Sequence, residues 1–135
     1  MLPIKRAIVH HGGTKAKWYQ LQLYWRRNNL KPYYHYLIDY NGQLIKGVQD
    51  FECGAHIANK NTGSIGICLL GDWSVEEPPE CMIDTLDSLL LMLMMMYPSL
   101  KEIAPHNKYN DTICPGDYLT NYLYSWNYLL EKEGE

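Results

Sequence analysis

The sequence predicts an α/β fold, a central mixed β-sheet flanked by helices, in a single domain spanning residues 1–135. Two observations carry this. Short β-branched apolar runs alternate along the chain with segments of helical periodicity, the pattern of a layered α/β domain. The 135 residues also suit one domain, a size at which roughly two-thirds of the unfolded surface is buried on folding.

Ile4 to His10 reads as the first strand, apolar toward its end and closed by Gly12-Gly13. Thr14 is placed to cap a helix whose apolar face is Trp18, Leu21 and Trp25, at i, i+3 and i+7. That helix should stop near Asn28-Asn29, before Pro32. Tyr33 to Asp39 and Gln43 to Val48 read as paired strands. Asn41-Gly42 between them is a strong hairpin signal, because both turn positions favour positive φ. Ser64 to Leu70 (SIGICLL) is a continuous apolar run suited to a buried strand, ended by Gly71-Asp72. Pro78-Pro79 opens a helix from Glu80 to Tyr97, stopped by Pro98, whose Met and Leu residues should pack in the core. Ile103-Ala104 forms a short strand leading into the His106 loop. A last helix follows Pro115-Gly116, with Leu119, Leu123, Trp126 and Leu130 on one face.

Composition excludes several classes of function. Net charge is −3 and the pI about 5.9, so no basic footprint marks a nucleic-acid binder. The most apolar run, Leu89 to Met96, is far short of the ~20 residues a membrane helix needs. After the early positives Lys5 and Arg6 only Ala7-Ile8-Val9 is apolar before two histidines, too short for a signal peptide. The expectation is therefore a protein made in the cytoplasm. Its four cysteines (Cys53, Cys68, Cys81, Cys114) include no CxxC pair. Without a leader they read as free thiols or metal ligands rather than disulfides.

Catalytic zinc sites use three N, S or O ligands and leave one position for water. His10 and His11 end the first strand, where successive side chains point to opposite faces, so one of them alone can join a given site. His106 and Cys114 stand eight residues apart on a loop bounded by Pro105 and Pro115-Gly116. That spacing matches no zinc finger. Taken alone, it slightly favours a surface histidine and a buried structural cysteine.

The ordered blocks IVHHGGT, YYHYLIDYNGQLIKG, GAHIANKNTGSIGICLLGDW and PHNKYNDTICPGDYL change that balance. From Ile8 to Leu119 the chain resembles zinc-dependent N-acetylmuramoyl-L-alanine amidases, a family that includes phage lysis amidases and animal peptidoglycan-recognition proteins. The resemblance implies Zn2+ bound by His10, His106 and Cys114 at the floor of a surface groove. It also implies a bacteriolytic, endolysin-like amidase acting on peptidoglycan at the bond between the muramic-acid lactyl group and L-alanine. Tyr34 matches the family's catalytic tyrosine. Thr112 takes the place where many phage members have Lys and several catalytic recognition proteins have Thr. His56 and Asn61 match groove residues and are expected to contact substrate. With no leader, such an enzyme would reach the cell wall only after release, and it is expected to act as a monomer. Pro105-His106-Asn107 departs from the family's frequent Gly-His-Arg.

The alternative is a non-catalytic peptidoglycan-binding or regulatory module of the same fold. Binding-only relatives typically lack the zinc cysteine, which this chain retains. A closed structural zinc site would need a fourth ligand, and His11, His35 and Cys53 offer none on spacing grounds.

Overall fold

The computed structural model describes residues 3–133. Five strands form one sheet: β1 (Arg6–His11), β2 (Tyr36–Ile38), β3 (Leu44–Lys46), β4 (Ser64–Leu69) and β5 (Glu102–Pro105), in the order β3-β2-β4-β1-β5. The β2-β4, β4-β1 and β1-β5 pairs are parallel, and β3 closes one edge antiparallel to β2. The sheet is therefore mixed, as the alternation of strand and helix predicts. Three helices flank it: α1 (Trp18–Arg27), α2 (Glu80–Met96) and α3 (Asp117–Glu133).

Strand alternation divides the core. Ala7 and Val9 of β1, with Ile65, Ile67 and Leu69 of β4, face α2 and α3 and meet Met82, Leu86, Leu90, Leu93, Leu119 and Leu123. Ile8 and His10 therefore point to the other face, where Ile57 and Ala104 pack against Ile8. Beside them α1 lays Trp25 on Leu37, Cys68 and Leu70, with Trp18 and Leu21 packed at the margin. The apolar stripe read from i, i+3 and i+7 is thus the face α1 buries. On α2 the inner Leu and Met residues are core as expected, but Met95 at the outer surface is 83% exposed.

Local corrections have local causes. Thr14 does not cap α1; its hydroxyl accepts the Ala16 amide, and the helix starts at Trp18, with Gln20 Oε1 reaching back to the Lys17 amide at 2.8 Å. The hairpin is not a two-residue turn. Gly42 alone has positive φ (+80°), its amide donates to Asp39 O at 2.9 Å, and Asp39 Oδ1 accepts the Asn41 and Gln43 amides. A three-residue loop closed by a glycine in the left-handed region results. A Cβ on Gly42 would lie 2.7 Å from Cys81 O, so this turn packs against the start of α2.

The segment before β2 is shorter in regular strand than predicted, yet it is tied on both sides. His35 N donates to Gly66 O at 2.9 Å, and Gly47 N donates to His35 O at 2.9 Å. Tyr34 and His35 are thereby fixed beside the sheet without belonging to β2.

Candidate metal centre

Parallel pairing between β1 and β5 explains how two histidines 96 residues apart meet. Val9 is level with Pro105, so the next residues, His10 and His106, leave neighbouring strands side by side at their carboxyl ends. In open parallel sheets that edge is where ligands bind. The two Nδ1 atoms lie 3.2 Å apart. Cys114 arrives on the loop before α3, where its sulfur accepts the His11 amide at 3.3 Å and Asn107 N donates to its carbonyl at 3.0 Å. The ligating atoms of His10, His106 and Cys114 all fall within 4.8 Å of one another.

His10 is buried, at 2% exposure. Burial, reinforced by His56, His106 and His11, holds its pKa well below the ordinary value, so the imidazole is neutral and a lone pair is available. Burial pushes the Cys114 thiol up to about 11, against the lowering effect of the His11 amide. A bound cation would reverse that balance by favouring the thiolate. Two imidazoles and one thiol suit a borderline-soft divalent ion, and three ligands leave a fourth tetrahedral position open. The donor set fits a metal.

His11 sits on the opposite face, as alternation requires. Its Nδ1 accepts the Trp73 amide at 3.0 Å, and Asp72 Oδ1 lies 3.7 Å away. Trp73 is buried in the core at 6% exposure, its indole donating to Leu70 O, and takes no part in the site. His35 is also structural: Nδ1 accepts the Gly66 amide at 3.0 Å, and Nε2 donates to Glu52 O at 2.8 Å.

The Tyr34 ring stands beside His10, the two centroids 5.2 Å apart. Burial first, then the Cys68 and Cys114 thiols beside it, drive its pKa far upward. The hydroxyl stays protonated and can donate. Thr112 is partly buried, and its hydroxyl accepts the Cys114 amide at 3.2 Å, which secures the ligand loop.

His56 and Asn61, the residues expected to contact substrate, both bond to other groups of the protein. His56 is buried at 6% exposure, and its Nδ1 lies 2.9 Å from His10 Nε2. Its ring supports a metal-ligand candidate from behind. Its own Nε2 is buried with no hydrogen-bond partner among the described residues. Asn61 Oδ1 accepts the His56 and Ile57 amides at 3.0 and 3.1 Å, shaping the loop that carries His56. One ring nitrogen of His56 and the Asn61 carboxamide oxygen are thus engaged within the protein. Sequence reasoning missed Asn110, whose Oδ1 lies 2.8 Å from His106 Nε2. Its only signal was an Asn four residues after a candidate ligand.

Comparison with known proteins agrees with this fold. Residues 1–117 match the Amidase_2 family, described as N-acetylmuramoyl-L-alanine amidase. The chain is 33% identical over 96 residues to peptidoglycan-recognition protein LB of Drosophila melanogaster, covering 69% of this chain and 41% of that protein's length. It is similar in fold to bumblebee PGRP-SA, with a TM-score of 0.81 at 20% identity over 93% of this chain and 83% of that one. A Drosophila PGRP-LB mutant solved in complex with tracheal cytotoxin superposes with a TM-score of 0.80 at 26% identity, over 93% and 83% of the two chains.

These relatives overturn the expected compartment. Insect peptidoglycan-recognition proteins do not support a cytoplasmic product made without a leader. The short apolar stretch at Ala7-Ile8-Val9, from which that expectation came, is the buried interior of β1. Matched over residues 1–117, with a three-layer α/β fold and a His-His-Cys cluster at the sheet's carboxyl edge, the chain belongs to the N-acetylmuramoyl-L-alanine amidase family.

Proposed function

We propose that the chain is a zinc-dependent hydrolase of peptidoglycan, cutting the amide between the lactyl group of N-acetylmuramic acid and L-alanine. The observation that carries this reading is the convergence of His10, His106 and Cys114 within 4.8 Å in a chain of the amidase family. Zinc, when bound, supplies a Lewis acid for the amide carbonyl and acidifies water to a pKa near roughly 7.

The chain's own residues do the rest. His10 and His106 present nitrogen lone pairs at the edge of the sheet, and His56 holds the His10 ring from behind. Tyr34, kept protonated beside His10, is the donor for the amide oxygen as it gains negative charge. Thr112 steadies the Cys114 loop through its hydroxyl and brings no charge to the oxyanion. Asn61 keeps the 56–57 backbone in place. Peptidoglycan is the one partner this reaction requires, and a similar protein, PGRP-LB, is known with tracheal cytotoxin bound. A monomer suffices, since all the named groups come from one chain.

The experiment is digestion of purified peptidoglycan with amino-terminal labelling, a reducing-end assay on the same sample, and a chelator control. New L-alanine amino termini without new reducing ends are expected. Thorough zinc removal, or Cys114→Ser, should abolish them, because a neutral hydroxyl is a poor zinc ligand. Reducing ends without alanine amines would refute the proposal, since they report a glycosidase. Binding without release of amines would leave a recognition module.

A further inference from the structure

The Asn110 carboxamide lies between His106 and the loop that carries His56. Its Oδ1 is 2.8 Å from His106 Nε2 and 3.1 Å from the Ala58 amide nitrogen. Its Nδ2 donates to Tyr109 O at 2.9 Å and to Ala58 O at 3.5 Å. Its backbone amide donates to His106 O at 3.2 Å, closing the short helical turn His106–Lys108 beneath the ring.

These contacts admit one assignment of protons. The Ala58 N–H is a donor only, so the amide of Asn110 must turn its oxygen, not its NH2, toward it. That oxygen also faces His106 Nε2. A carboxamide oxygen only accepts, so His106 Nε2 carries the proton that this contact shares. The Nδ1 lone pair is then directed to the space shared with His10 Nδ1, 3.2 Å away. Ligating histidines commonly have their tautomer set by the bond the other ring nitrogen makes.

We infer that Asn110 is a positioning residue that holds His106 in its Nε2-protonated tautomer, aims Nδ1 into the His10–His106–Cys114 cluster, and ties that ligand to the 54–61 loop through Ala58. What Nδ1 binds rests on the zinc reading above; the tautomer does not. Every strand-end ligand in the cluster is then braced by a neighbour, His10 by His56 and His106 by Asn110.

The test uses the full chain with histidine side chains 15N-labelled, read by long-range 1H–15N correlation in the zinc-free protein. Zinc affinity is measured separately by competition with a chromogenic chelator. Wild-type His106 should show protonation at Nε2. Asn110→Ala should weaken zinc binding by about 10–100-fold, the usual scale for losing such a support, and should mix the His106 tautomers. Asn110→Asp keeps an accepting oxygen toward both Ala58 and His106, so it should recover affinity to within a few-fold of wild type. The inference is overturned if wild-type His106 is protonated at Nδ1, if Asn110→Ala binds zinc as tightly as wild type, or if Asn110→Asp is no better than Asn110→Ala. Should Asn110→Ala fail to fold, the wild-type tautomer and the Asn110→Asp affinity decide. Should wild type bind no zinc, the zinc reading fails, and the His106 tautomer in wild type and Asn110→Asp still decides the role of Asn110.

Discussion

Gly66→Ala is the smallest change that should damage both the sheet and the site. Gly66 lies in the middle of β4, buried, and carries no positive φ. An added Cβ would stand 2.6 Å from two His56 ring atoms and 2.8 Å from Nδ1. The ring cannot simply retreat, because a Cβ built on Gly54 meets the same ring at 2.7 Å and His35 at 3.1 Å. Forcing a methyl-sized group into a filled site costs about 1–3 kcal/mol. Displacing His56 Nδ1 from His10 Nε2 removes a buried hydrogen bond worth about 1 kcal/mol. The sum is about 2–4 kcal/mol. An unfolding entropy of about 2 cal/mol/K per residue over this chain makes each kcal/mol worth roughly 3–4 °C, so Tm should fall by roughly 7–14 °C. A thermal melt followed by circular dichroism reads this. The companion variant Gly66→Ala/His56→Ala tests the cause, since removing the ring removes the clash. In a double-mutant cycle, Gly66→Ala should then cost well under half of its single-variant penalty. A Tm within 2 °C of wild type for Gly66→Ala, or full additivity in the cycle, would refute the reasoning.

Two further outcomes are expected. Tyr34→Phe should retain zinc yet lose on the order of 10²-fold in turnover, the scale of a lost oxyanion donor, while Thr112→Ala costs less because its hydroxyl is committed to the Cys114 amide; full turnover in Tyr34→Phe would return that residue to a packing role. For Asp50, burial raises the pKa but is outweighed by Lys46, Tyr97 and Tyr36, so the folded value lies below the ordinary one. Its contribution to stability is present above the unfolded pKa of about 3.9 and is lost as pH falls through the folded value. Denaturant titrations should accordingly show Asp50→Asn less stable than wild type at neutral pH, with the gap closing in acid; a gap independent of pH would refute this linkage.

Much of the architecture was legible in the chain, because local patterns dictate it. The β-branched run at Ser64 to Leu69 had to be a central buried strand, the Trp18-Leu21-Trp25 stripe had to face a core, and Leu119 and Leu123 had to share one side of the last helix. The pairing of His10, His106 and Cys114 was legible only by resemblance. No local rule relates positions 10, 106 and 114; the Val9–Pro105 register brings the histidines level, and the His11 backbone receives the sulfur. Turn details failed for a related reason. Asn41-Gly42 predicted two positive-φ residues, but the Asp39 carboxylate bonds the Asn41 and Gln43 amides and leaves one.

What the sequence by itself determined is the type and order of the elements, the opposite facing of His10 and His11, and the family to which the ordered motifs belong. Only the tertiary structure decided what each polar group near the site does. It set His56 against His10, bonded Asn61 to the 56–57 amides, gave Thr112 to the Cys114 loop, and placed Asn110 against His106. The reason is physical: periodicity and propensity act over a few residues along the chain. The bonding state of a polar group at the site depends on which atoms the fold brings to it, some from far along the chain, as His10 meets His56 46 positions away, Asn110 meets Ala58 52 away and Cys114 meets the His11 amide 103 away.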